Sequence, residues 1–480
     1  MFIPGIERID KVADTTTLAL FSSINNQGSS SFEILDPVAK VSFNSLYPRG
    51  YNDGPIWKGK GLTFEAHAGF QGRFGKLSYT FMPSVFFSEN LWYLSTPGAN
   101  DSPNPFAYQF TSRIDWVQRF GGKEYLGFHP GQSEIKIDWG KVTTSLSTQN
   151  YSLGPSIFNP ILLSRQGGGF PHARIELEPT NLKIAKQDIG KLEANLLVGL
   201  LKESEYFDND SENDNRFFNS LSIAYSPSFL SEVTVGLNKV LYKQTQFFEP
   251  EDLISTLYII DNGIKDGDTL SPNDTFDQMA SVFMEWHLKE SGFRAYAEFA
   301  KNDFTTDARF RFFAIEPEHA RAYTIGFEKR LKTKKGKEIR ISYEHTNLSK
   351  GQSFQKWRAD PAYYVHGINR QGYTHNGQIL GAGIGPGGNS DHFEVTRISE
   401  KLSVGVLAQR IEHNKDYFVA NIRDLANHDV EYTLNLFANK EMPKATWFGK
   451  LAYSYNYNRS FIAFEDQKNL YLSIGSRIKL

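Results

Sequence analysis

The chain has 480 residues, of which 40% are hydrophobic and 22% charged, with a formal net charge of −2. That balance excludes a disordered polymer and supplies no basic field for nucleic acid. With no cysteine, disulfide frameworks and thiolate metal sites are excluded too.

The first residues, MFIPGIERID, lack the basic start and apolar core of a secretion signal, which is expected to precede this numbering in an exported protein. No run reaches the roughly 18–20 apolar residues of a spanning helix; the most apolar stretch, Leu196 to Leu201, is far shorter. Aromatic residues make up 14%, with 38 Phe, 23 Tyr and 7 Trp, and favour β structure. Residues 1–37 read as a periplasmic lead-in, and residues 38–480 as one domain. Strands are predicted at 38–46, 62–72, 76–87, 133–139 and 142–150. Between them, 89–130 fits no alternation and has Pro97, Pro103 and Pro105 near its start. It reads as an external loop or a segment folded into a lumen, as does 151–171.

From residue 172 the period-two alternation of half-buried strands is plain. Phe293, Ala295, Ala297 and Phe299 oppose Arg294, Tyr296, Glu298 and Asn302. Ile339, Ile341 and Tyr343 oppose Glu338, Arg340, Ser342 and Glu344. Tight links at 187–190, 227–231, 290–292, 333–336, 399–401 and 441–444 alternate with long polar ones at 203–215, 242–277, 303–320, 348–390, 412–428 and 458–469. That parity is the signature of an outer-membrane barrel, with short periplasmic turns and long external loops. Thirteen predicted strands here and five before residue 150 make an all-β, transmembrane antiparallel barrel of about 18 strands. The last predicted strand ends on Leu480, an apolar residue of the kind expected in a barrel assembly signal. Ala295, Ala297, Ile339 and Ile341 are assigned to lipid, and Arg294, Glu298, Arg340 and Glu344 to the lumen. The basic residues Lys329, Arg330, Lys332, Lys334, Lys335 and Lys337 read as a solvated turn.

Chemistry-bearing motifs are thin. GAGIGPGG, 381–388, lacks the buried strand and following helix of a phosphate-binding loop. His129, His172, His366 and His375 have no metal-ligand spacing, and no GxSxG elbow is present. The carboxylates Asp138, Glu298, Asp303 and Glu344 read as the ordinary lining of a wet lumen. No catalytic residue, metal or cofactor is therefore expected. Two loop segments are richer, GPSIFNPILLSRQGGGFPHAR (154–174) and YYVHGINRQGYTHNGQILGAGIGPGGNS (363–390). Aromatic faces, glycines and planar donors are what sugars need. Tyr363, His366, Arg370, Gln371, Tyr373 and His375 are the candidate carbohydrate contacts. Gly154, Pro155, Phe170, Pro171, His172, Gly385, Pro386 and Gly387 form the structural loop motif. A plug folded into the lumen would use the same residues for its own hydrogen bonds.

These segments, with YPRGYNDGPIWKGKGL (47–62), RIDWVQRFG (113–121), HPGQSEIKID (129–138), LKESEYFD (201–208), AYAEFAKNDF (295–304) and ISYEHTNL (341–348), resemble the capsule assembly Wzi family. Gly154, Pro155, Phe170, Pro171 and His172 match the family pattern, whereas SLGPS, 152–156, stands where relatives carry a Trp-rich WGPG. The resemblance implies an eighteen-stranded, non-catalytic, lectin-like barrel that anchors capsular or extracellular polysaccharide. Outer-membrane lipid and lipopolysaccharide are the other expected partners, with an envelope protein complex more distant. The alternatives are a porin-like channel for small solutes, a scaffold subunit and, last, an outer-membrane hydrolase.

Overall fold

The computed structural model describes residues 30–95, 104–208, 210–257, 276–302, 317–333, 336–351 and 362–480. The strands are β1 (Ser30–Asn44), β2 (Gly61–Phe74), β3 (Leu77–Phe81), β4 (Ser84–Ser88), β5 (Tyr125–His129), β6 (Glu134–Asp138), β7 (Val142–Ser147), β8 (His172–Ile184), β9 (Gln187–Lys202), β10 (Asn215–Pro227) and β11 (Val233–Gln244). They continue as β12 (Phe276–Leu288), β13 (Phe293–Asn302), β14 (Arg321–Lys332), β15 (Glu338–Asn347), β16 (Thr374–His375), β17 (Gln378–Ile379), β18 (Asn389–Ile398), β19 (Leu402–Glu412), β20 (Val430–Glu441), β21 (Ala445–Tyr457) and β22 (Gln467–Ile478). β16 and β17 form a hairpin of their own. The rest pair antiparallel with their chain neighbours, and β1 closes the ring by pairing with both β2 and β22. β3 and β4 share β2 as partner and continue into β6 and β5, so each of these pairs is one strand broken midway. Among the described residues the result is a closed eighteen-stranded antiparallel barrel.

Three departures from the sequence reading have local causes. β1 starts at Ser30, within the predicted lead-in, because Asp36 and Pro37 make a bulge between Leu35 and Val38 that hides the first half of the alternation. Residues 1–29 lie outside the described residues. Within 89–130, Tyr125–His129 is strand rather than loop. Pro83 and Pro130 flank the break, leaving five-residue halves too short for a periodicity to register. The turn predicted at 187–190 is made by Ala185 and Lys186, both at positive φ (49° and 71°), the geometry of a two-residue hairpin. Gly190 instead lies in β9, where a Cβ would come within 2.3 Å of the Ser226 carbonyl oxygen.

The outward face is largely apolar. Ala297 is exposed, as are Val282, Ile325, Leu434, Leu472 and Ile474. Trp139, Trp286 and Trp447 are exposed near the short-turn end, and Tyr432, Tyr453 and Tyr457 near the other end, on β20 and β21. One sector differs. On β10–β12 the outward positions Asn219, Lys239, Lys243 and Gln278 are polar, yet all are buried. Residues 245–257 fold down over them as a strap. Asn219 donates to the Asp252 and Leu253 carbonyls (2.8 Å each) and accepts from Thr256 Oγ1 (2.7 Å), while Lys243 pairs with Asp252 at 2.5 Å.

The apolar core sits inside the barrel. Ile161, Leu162, Leu163, Tyr363, Tyr364, Tyr373 and Leu380 pack against wall residues such as Leu197, Phe218, Val240 and Met279. Both 151–171 and 362–388 are therefore a lumen plug. The four predicted lumen residues do face inward, but the wet lining expected of them gives way to plug anchorage and buried ion pairs. Glu344 accepts from the Ile157, Phe158 and Asn159 amides (2.6, 3.1 and 2.7 Å) and from Tyr296 Oη (2.7 Å). Arg294 donates to the Pro155 carbonyl and to Glu285, both at 2.7 Å. Gly154, at φ 87°, lets the plug backbone meet Glu298, whose Oε2 a Cβ would approach to 2.4 Å. Arg340 pairs with Glu394 at 2.8 Å.

Candidate functional site

Above the plug, at the long-loop end, lies a cleft of about 250 Å³. Its first wall is the β1–β2 connection, held inward by Asn44, whose amide donates to the Arg49, Lys58 and Gly59 carbonyls at 3.1–3.2 Å. That brings Tyr47, Arg49 and Trp57 to the cleft. Arg49 is tied to Glu431 (3.1 Å) and Thr433 (3.0 Å), and Tyr47 Oη donates to Glu431 at 3.2 Å. Over the Tyr47 ring lies the Arg459 guanidinium, 3.8 Å from the centroid. No carboxylate lies within ion-pair distance of Arg459 among the described residues.

The second wall comes from 104–121. Tyr108 and Trp116 stack at 5.0 Å. Gly385, at φ 76°, passes directly beneath Trp116, where a Cβ would come within 2.5 Å of the indole. At the base, three buried atoms have no hydrogen-bond partner: Asp429 Oδ1, Asn456 Oδ1 and His413 Nε2. Asp429 spends its other oxygen on the Ser460 amide (2.7 Å), and burial pushes its carboxyl above the usual range. Buried polar atoms are seldom left unpaired, and all three belong to residues that line the cleft. The cleft brings together the half-buried Trp57 and Trp116, a guanidinium and three unpaired polar atoms.

The comparisons bear on the fold. No family model matches the chain, and no curated protein matches it. Among solved structures it is similar to Wzi of Escherichia coli, described as an outer membrane protein involved in group 1 capsule assembly and a carbohydrate-binding β-barrel. That match has 12% identity and a TM-score of 0.60, covering 93% of this chain and 85% of the other. OprD of Pseudomonas aeruginosa aligns at 10% identity and a TM-score of 0.40, over 94% and 96% of the two chains. OccAB4 of Acinetobacter baumannii aligns at 12% and 0.41, over 95% and 100%. The chain is an outer-membrane β-barrel.

The residues predicted to touch sugar lie elsewhere. Tyr373 is fully buried among Tyr242, Tyr364 and Phe218, its hydroxyl unpaired. Tyr363 donates to the Ala320 carbonyl (3.3 Å), and Gln371 donates to Glu203 Oε2 (2.6 Å). His375 accepts from the Lys202 amide at 3.0 Å, and burial drives its imidazole down to about 3. His366 caps its own turn through the Asn369 amide (2.9 Å). Arg370 reaches the surface but donates to Ser112 Oγ at 3.0 Å. These side chains hold the plug together and present no stacking face. Phe170 and His172 do likewise, Phe170 against Phe218 (5.0 Å) and His172 on the Phe170 carbonyl (2.7 Å). Pro386 lines the cleft, and Gly387, at φ 61°, leaves to Asp416 the space that a Cβ would take. His129, His172 and His375 all approach the Gly169–Phe170 segment of the plug, yet no metal-binding group of His, Asp and Glu forms among the described residues; Asp303 lies outside them. The cleft residues were partly visible beforehand. Tyr47, Arg49, Trp57 and Trp116 sit inside two of the family-like segments, whereas Asp429, His413 and Arg459 carried no local signal.

Proposed function

We propose that this protein is a Wzi-type barrel that holds surface polysaccharide at its external cleft and performs no chemistry on it. The observation that carries this reading is the cleft: the half-buried Trp57 and Trp116 beside Arg459 and the unpaired Asp429, Asn456 and His413 atoms. Sugar rings stack their C–H faces on aromatic side chains, and their hydroxyls both donate and accept. The plug beneath supports retention over passage.

The test is a glycan array followed by titration of the best polymer against purified barrel. Trp116→Ala removes a stacking face and Arg459→Ala a planar donor, each expected to weaken binding by about 0.5–1.5 kcal/mol. On cells, a polymer bridging many barrels masks one loss, so the double variant should shed polysaccharide into the medium. Unchanged titration in the folded double variant would falsify the assignment. Solute-dependent swelling of liposomes would replace it with the channel.

A further inference from the structure

The outward wall between β2 and β10 is not smooth. Cross-strand register aligns one outward row as Tyr79, Ile135, Leu146, Ala173 and Val198. Toward the external end the next outward positions are Phe81, Ser133, Thr148, Pro171, Leu200 and Phe217, large at both edges and small between. The interruption at Pro83 and Pro130 falls in the same sector. The outcome is a groove of about 790 Å³ lined by Phe70, Phe81, Ile135, Leu146, Leu200 and Phe217. Lying on the lipid face, it can be filled by hydrocarbon and not by a polar solute. Two residues beyond Leu200 on the same face stands Lys202, exposed, with no carboxylate in ion-pair range among the described residues. β9 ends there at the external loops, so the ammonium lies at the outer headgroup level.

We propose that this groove seats one acyl chain of an acylated, phosphorylated glycolipid of the outer leaflet, with Lys202 meeting its phosphate. Each methylene seated in a matching furrow keeps contacts that a smooth wall would not offer. The ammonium selects an anionic headgroup over a zwitterionic one. Such a seat holds a lipid on one sector of the wall, independently of what the cleft binds.

The probes are diphosphoryl lipid A and phosphatidylcholine, added separately to delipidated barrel and read by native mass spectrometry. Wild type should retain one lipid A and little phosphatidylcholine. Lys202→Gln should lower lipid A retention about tenfold, as loss of one charge-assisted contact implies. Leu146→Trp, at an exposed outward position, should fill the groove and abolish retention, while Ile325→Trp on the opposite wall should not. Ala173→Phe replaces Leu146→Trp if that variant fails the heat-shift test of barrel assembly. Equal retention of both lipids, or wild-type retention in both groove variants, overturns the seat. Loss on filling the groove with none in Lys202→Gln overturns the headgroup assignment.

Discussion

Glu203 stands just past the end of β9, accepting from Gln371 of the plug at 2.6 Å, and burial pushes its carboxyl up to about 8. Nearby Asp208 and Asp115 push the same way, against the Gln371 bond and Arg216. The folded protein therefore holds a proton that the unfolded chain releases near the ordinary carboxylate value. The contribution is fully present below about pH 4.5 and is lost as pH rises through about 8. Protection from hydrogen exchange at 371–376, relative to the intrinsic rate at each pH, should fall between about pH 4.5 and 8, and Glu203→Gln should flatten that dependence. An equal fall in the variant would assign the effect to another group. None of this was legible in LKESEYFD, where Glu203 is one polar loop residue among several. A carboxyl's environment is made by the segments that close over it.

At the scale of strands, faces are legible because alternation is local. Ala297 was assigned to lipid from its neighbours alone, and it is exposed on the outward face of β13. Ala297→Arg should cost about 2–4 kcal/mol in barrel stability, measured by urea unfolding in lipid. Exposed surface positions such as Asp210 should tolerate the same exchange within about 0.5 kcal/mol. The strap over β10–β12 breaks the alternation rule. Outward Lys239 and Lys243 look like lumen residues in a sequence, but here a folded-back loop takes the place of lipid. Asn219→Ala removes three hydrogen bonds to that strap. The expected result is protease cleavage within 245–257 while the barrel still assembles; a resistant strap would mean its apolar contacts, such as Phe217 with Phe248, suffice.

The whole molecule obeys the loop-length parity. An epitope inserted after Asp210 should be reached by antibody on intact cells, and one at Glu400 only after the outer membrane is permeabilised. Labelling at Glu400 with silence at Asp210 would invert the orientation. The sequence by itself determined the number of strands, their inward and outward faces outside the β10–β12 sector, and the side on which long loops gather. Each of these follows from spacing along the chain, which needs no knowledge of distant residues. Only the tertiary structure decided which loops enter the lumen. Tyr373, Gln371 and His375 have the composition of a sugar site, and burial against Phe218, Glu203 and Lys202 made them a plug instead. Aromatic rings and planar donors serve a ligand or a core equally well, and what separates the two is water access. That is settled by contacts hundreds of residues apart, such as Tyr364 with Ile161 and Arg459 with Tyr47.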